Sequence, residues 1–143
     1  MKYFKEEFYK LLNLFKTMKL KLVNCDRMFW IDILEIRNKD KKCFINQKEI
    51  QIKDHFNYML HNSKFYEVCV ADNIFAGFVG LVNGDIRIGV SNKFKRKGIG
   101  KFMLQNFKKF EQIKQVKIKV DNEASIKLFE SLGFKKNLYI MAR

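Results

Sequence analysis

Val90-Ser91-Asn92-Lys93-Phe94-Lys95-Arg96-Lys97-Gly98-Ile99-Gly100-Lys101 is the stretch that decides how this chain is read. The run before it, Ile86 to Val90, is strand-like. After it, Ile99, Phe102, Met103, Phe107 and Phe110 fall on one helical face. A strand should therefore end, a short basic loop follow, and a helix begin at Gly98. Glycines at 98 and 100 let a main chain approach a ligand closely. The first N–H groups of a helix have no internal partners and, with the helix dipole, attract an anion. Lys95, Arg96, Lys97 and Lys101 add positive charge to that end. Two other phosphate motifs do not fit. A dinucleotide fingerprint needs a third glycine where Met103 stands, and a P-loop needs four residues between its glycines.

Outward from this loop, the pattern is one of short alternating elements. Before it, Phe65 to Ala71 and Ile74 to Val82 read as strands, with Asp72-Asn73 and Asn83-Gly84 as turns. After it, Val116, Ile118 and Val120 alternate with lysines as in a strand with one wet face. Asn122 to Leu132 has helical spacing, Gly133 is placed to end that helix, and Phe134 to Met141 should close the sheet. Towards the N-terminus, Asp26 is placed to cap a helix from Arg27 to Ile36, and Ile52 to Leu60 reads as another. A strand is expected from Met18 to Val23. Residues 1–17 read as an added amphipathic helix whose apolar residues Phe4, Phe8, Leu11, Leu12 and Phe15 cover the domain. The whole is a mixed α/β chain, divided into an extension over 1–17 and a domain over 18–143.

Composition sets the outer limits. The chain has 143 residues, enough for one domain with a core around a sheet. Apolar residues make up 48%, too many for a disordered tail. The formal charge of +14 favours an anionic partner such as a nucleotide cofactor, although a chain rich in Lys, Asn, Ile and Phe and lacking Pro also fits AT-rich coding. Cys25, Cys43 and Cys69 show neither C-x-x-C spacing nor a His cluster, so neither a disulfide framework nor a metal site is expected. No apolar run has the length of a membrane span, and Lys5, Glu6, Glu7 and Lys10 break any signal-peptide pattern. The cytoplasm is the default compartment.

Lys95-x-x-Gly98-x-Gly100 resembles the Gln/Arg-x-x-Gly-x-Gly/Ala signature of the GNAT superfamily of acyl-CoA N-acyltransferases. Asn122-Glu123-Ala124-Ser125, continuing through Phe129 to Gly133-Phe134, resembles the same family's Asn-x-x-(Ala/Ser)-x-x-x-(Tyr/Phe)-x-x-x-Gly-Phe segment. Both occur in order, separated by a helix and a strand. The resemblance spans about Met18 to Arg143 and is strong from Val79 onward. It implies a largely antiparallel central sheet, flanked by helices, in which two central strands splay apart. It also implies acetyl-CoA as co-substrate, with no metal. The pantetheine arm would pair with Ile88, Gly89 and Val90, and the Val90 N–H would polarise the thioester carbonyl. The pyrophosphate would lie on Lys95, Arg96, Lys97, Gly98, Ile99, Gly100 and Lys101, with Asn122, Ser125 and Phe129 lining the cofactor beyond. Gly89 would let the strand bend.

The same resemblance leaves proton transfer open, because Phe129 stands where the family often has a Tyr that protonates the departing thiolate. Water, Ser125 or Tyr139 would have to substitute. Asp85, Glu67 and His55 are the candidate bases; the first two have simple alternatives as a turn aspartate and a solvent-facing strand residue. Arg37-Asn38, Ile50 and His55-Phe56-x-Tyr58 resemble a pattern in GNAT enzymes acting on amino groups of nucleotide-linked sugars. Arg37 would then pair with a phosphate and Tyr58 would stack on a base or sugar, with His55 beside them. The expected protein is an N-acetyltransferase for a small primary amine, monomer or homodimer, with no specific nucleic acid partner. Acetylation of protein or peptide amines, a CoA-binding regulator without catalysis, and a basic nucleic-acid-binding domain are the other readings.

Overall fold

The computed structural model describes residues 2–143, with the side chains of 11–17 outside the described set. Four strands form one antiparallel sheet in the order β1-β2-β3-β4: β1 Leu20–Asn24, β2 Tyr66–Ala71, β3 Ile74–Val82 and β4 Asp85–Val90. Five helices accompany it among the described residues: α1 Lys2–Thr17, α2 Trp30–Lys39, α3 Ile52–Asn62, α4 Ile99–Asn106 and α5 Glu123–Ser131. Both hairpins close through two-residue turns with positive φ at each central residue, 48° and 65° at Asp72-Asn73, 51° and 80° at Asn83-Gly84. Asn, Asp and Gly tolerate that geometry, and its twist matches the strands it joins.

Alternation along β2 divides the core in two. Cys69 and Ala71 face α4 and α5, in a cluster with Val79, Ile99, Met103, Leu104 and Phe129. Val68 and Val70 face α2 and α3, in a cluster with Trp30, Ile33, Ile36, Met59 and Phe78. The sheet is thus covered on both faces, and β4 remains at its edge.

Several sequence expectations need correction. No strand forms over Val116 to Val120 or Phe134 to Met141. Val116 and Ile118 do pack on the α4 core, so their alternation reports burial of one face without backbone pairing. Leu138, Tyr139, Ile140 and Met141 are exposed. The helix from Gly98 stops at Asn106, before Phe107 and Phe110. Phe107 is extended, and the Glu67 carboxylate accepts the Lys108 N–H at 3.2 Å just beyond the end. Asp26 precedes a 3-10 turn over Arg27–Phe29 but makes no side-chain cap; its carbonyl accepts the Phe29 N–H instead. α1 is helical as expected, yet its residues 2–10 all stand exposed, Phe4 and Phe8 included, and do not cover the domain. Leu11, Leu12 and Phe15 lie outside the described side chains.

Candidate active site

β4 has one bonded edge and one open edge. Ser91 donates its N–H to Ala76 O at 2.8 Å, and the register pairs Gly89 with Phe78 and Arg87 with Gly80. In an antiparallel ladder the inward-bonding residues alternate with residues whose groups point away. Residues 87, 89 and 91 therefore bond to β3, and the N–H groups of Ile88 and Val90 face the open edge. Their side chains pack towards α4. A ligand with amide groups can pair along this edge as an additional strand would.

The chain then turns onto α4. Arg96 has φ 62° and Gly98 has φ 77°, so both lie in the left-handed region. At Gly98 a Cβ would meet no protein atom within 4 Å. The conformation, together with the open space before the helix, accounts for glycine here. Gly98 is the residue before α4, and Phe102 returns its N–H to Gly98 O at 3.0 Å. The N–H groups of Ile99, Gly100 and Lys101 come too early in the helix for intrahelical acceptors. Gly100 serves packing: its Cβ would lie 3.2 Å from Leu128 Cδ2, so it lets α4 approach α5. Gly89 likewise has no positive φ. A Cβ there would come within 2.7 Å of Phe78 and 2.8 Å of Ile36, which makes it a contact point for α2 rather than a bend.

The charged side chains of the loop are partly committed. Lys95 Nζ lies 2.9 Å from Asp40 Oδ2, which joins the loop to the end of α2. Lys97 Nζ lies 5.6 Å above the Phe94 ring. Asn122 caps α5, accepting the Ser125 N–H at 3.3 Å while donating to Cys43 O at 3.3 Å. Phe129 is only 3% exposed, packed edge-on against Phe134, so its ring is core.

The candidate acid and base residues scatter. Asp85 lies five residues before Val90, about 17 Å of strand, and three before Ile88, about 10 Å. Its carboxylate is 3.8 Å from Lys117 Nζ. Glu67 is occupied at the end of α4, as described. Tyr139 is 76% exposed and has no hydrogen bond or ring contact among the described residues. His55 is 4% exposed and its Nε2–H donates to Trp30 O at 2.7 Å, joining α3 to α2. Burial pushes its pKa down, so the ring stays neutral, in the part of a satisfied core histidine.

A carboxylate pair that the sequence reading passed over lies closer. α2, β3 and the Val90–Lys93 segment enclose a cleft of about 390 Å³ whose lining includes Asp32, Glu35, Asp40 and Val90. Burial, then the Glu35 charge, raises the Asp32 carboxyl above its ordinary range. The three-residue spacing of Asp32 and Glu35 puts both on one side of a helix, a signal the sequence carries, but it does not say what that side meets.

An edge strand whose Ile88 and Val90 N–H groups face outward, running into a helix N-terminus, can pair with an amide-bearing ligand and hold an anionic group beyond it. The sequence matches the family model of the acetyltransferase (GNAT) domain over residues 59–136, more than half the chain. The chain belongs to the GNAT acetyltransferase family, whose chemistry is transfer of an acetyl group from acetyl-CoA to an amine. Its fold is similar to that of an N-acetyltransferase from Staphylococcus aureus Mu50, at 20% identity and TM-score 0.70, covering 82% of this chain and 84% of that one. It is also similar to ribosomal-protein-alanine N-acetyltransferase from Brucella melitensis, at 18% identity and TM-score 0.65, covering 80% and 84%. A third is the diaminobutyrate acetyltransferase of Paenibacillus lautus, solved with L-2,4-diaminobutyric acid and coenzyme A, at 16% identity and TM-score 0.59, covering 80% and 75%. No curated protein matches the sequence. Among the described residues no helix is long and apolar enough to cross a membrane, and no group of His, Cys, Asp and Glu is arranged to hold a metal.

Proposed function

We propose that this chain acetylates the primary amine of a small acceptor by direct attack on acetyl-CoA, with a nucleotide-linked amino sugar as the favoured acceptor. The open edge of β4 at Ile88 and Val90, continuing into the N-terminus of α4, is the observation that carries the reading. The pantetheine amides pair with that edge, and the pyrophosphate lies at the first turn of α4, near Arg96 and Lys101. One of the edge N–H groups donates to the thioester oxygen and stabilises the oxyanion as the amine attacks.

In this scheme the amine nitrogen bonds to the thioester carbon, the carbon–sulfur bond breaks, and CoA leaves as its thiolate. The ammonium formed loses its proton to Asp32 or Glu35, directly or through water. Their cleft opens beside Val90, and a carboxylate with a raised pKa is the stronger base. It also attracts the protonated amine on arrival, which gives one proton to water before it attacks, since only the neutral amine has a lone pair. Phe129 is buried and gives no proton to the thiolate, which a solvent proton can meet, since thiolates leave well at neutral pH.

Thiol release from acetyl-CoA in the presence of a panel of amines tests the reading. Amine-dependent release supports it. Tight binding of CoA without turnover for any amine leaves a CoA-binding regulator, the reading that Phe129 motivates.

A further inference from the structure

The α2–α3 face of the sheet holds two arginines with unmet hydrogen-bonding capacity. Tyr66, Gly80 and Arg87 stand opposite one another on β2, β3 and β4. Directly opposed residues share a face, so all three lie under α2 and α3. Gly80 is what allows this row: a Cβ there would come within 2.6 Å of the Tyr66 ring, which therefore lies across the glycine towards Arg87. The Tyr66 hydroxyl meets the Tyr58 hydroxyl of α3 at 2.9 Å.

Arg37 of α2 joins the same group. Its guanidinium stacks on Phe44 at 4.0 Å and donates Nη2–H to Asn46 O at 2.8 Å, so its plane is held from two sides. Its Nη1 and the Arg87 Nε are buried yet have no hydrogen-bond acceptor among the described residues. Neither arginine is in an ion pair among the described residues. Burial, and then the charge of Arg87, lowers the Arg37 pKa, which places the two cations within electrostatic reach of each other. Two like charges, partly desolvated and without a carboxylate, are costly unless an anion arrives between them.

We propose that Arg37 and Arg87 together receive an oxyanion, a phosphate or a carboxylate, carried by the acceptor, with the Tyr58–Tyr66 hydroxyl pair beside it. The proposal rests on the acetyl-transfer reading above and adds Arg87 and Tyr66 to its acceptor site. Arg87 precedes Val90 by three residues, about 10 Å of strand, so a small acceptor can place its anion on the arginines and its amine at the thioester. Guanidinium suits the task, since its flat fork of donors matches a carboxylate or phosphate edge.

Two measurements on the full chain test it. In the first, the arginine Nε–H resonances are followed while inorganic phosphate or acetate is added to the wild-type protein. A saturable shift at Arg87, with one anion binding at least tenfold more tightly, supports the proposal and names the anion. No saturable shift at Arg87 with either anion overturns it. In the second, acetylation of glucosamine is compared with that of glucosamine 1-phosphate, and butylamine with 4-aminobutyrate. Arg87→Gln should raise KM for the better anionic acceptor at least tenfold while leaving KM for its neutral counterpart and for acetyl-CoA unchanged. Arg87→Lys should recover part of the loss. An equal rise for charged and neutral acceptors overturns the proposal. Should no amine be acetylated, the acetyl-transfer reading fails by itself, and the anion titration still decides whether the two arginines form a receptor.

Discussion

Lys95 Nζ and Asp40 Oδ2 are 2.9 Å apart, so the basic loop before α4 is fastened to the residue that ends α2. Lys95 is the first residue of the family signature, yet its charge is shared with a protein carboxylate. The pair is partly exposed and contributes about 0–1 kcal/mol to stability. Asp40→Asn should therefore leave the melting temperature nearly unchanged. It should also raise CoA affinity several-fold at low salt, an advantage that shrinks as salt screens the freed lysine. Calorimetric titration of CoA at two ionic strengths measures this; an affinity independent of Asp40 at both would remove Lys95 from the pyrophosphate site.

Gly98 gives a second prediction. A Cβ at this position meets no protein atom, so Gly98→Ala should fold, at a cost of about 1–2 kcal/mol for the left-handed backbone. It should weaken CoA binding by at least tenfold, because the added methyl group points into the space left for the ligand. Thermal melting and CoA titration on the same preparation separate the two effects. A folded variant with wild-type CoA affinity would show that the ligand does not approach this residue.

Much of the fold was legible in the sequence because it rests on local signals. The two turns, Asp72-Asn73 and Asn83-Gly84, carry residues that accept positive φ, and the segments around them are short, mostly apolar runs of strand-forming residues. The loop into α4 was legible for the same reason. Strand pairing at the C-terminal end was not, because alternation at Val116 and Ile118 records which side chains are buried and says nothing about backbone partners. The side of the sheet under α2 and α3 was the least legible. His55 has a suitable chemistry at the right spacing, but only the Trp30 carbonyl above it shows that its proton is already used. Arg87 and Tyr66 are 21 positions apart, and only sheet register through Gly80 brings them opposite. Asp32 and Glu35 come beside Val90 only through the packing of α2 on the sheet, which local sequence does not state.

Asp32 should couple activity and stability in opposite directions. Its folded pKa lies above the ordinary 3.8, so the native state holds this proton more tightly than the unfolded state. The resulting destabilisation is absent below about pH 3.8 and fully present above the raised pKa. Asp32→Asn should therefore be more stable than wild type at pH 7, with the difference vanishing in acid. If Asp32 is the base, the same change should lower kcat about 10²-fold and remove its limb from the pH–rate profile. A variant as active as wild type across that profile would move the role to Glu35 or to water.

His55 offers a test that separates core from substrate roles. Its folded pKa lies below the ordinary 6.5, so the unfolded state takes up its proton first as pH falls. The contribution of His55 is complete above about pH 6.5 and is lost as pH falls through the folded pKa. Urea midpoints of wild type should decline over that range, whereas those of His55→Gln, which keeps a donor for Trp30 O, should decline less. KM for the acceptor should be the same in both proteins. A large rise in acceptor KM for His55→Gln, with unchanged stability, would return His55 to the binding site.

The central claim is that acetyl-CoA lies along the open edge of β4 and ends at the first turn of α4. Backbone amide resonances of the isotopically labelled chain, recorded as acetyl-CoA is added, test it most directly. Saturable shifts and slowed hydrogen exchange at Ile88, Val90, Ile99 and Gly100 are the predicted result. Saturable binding that leaves these four amides unmoved, with the shifts elsewhere on the chain, would contradict it.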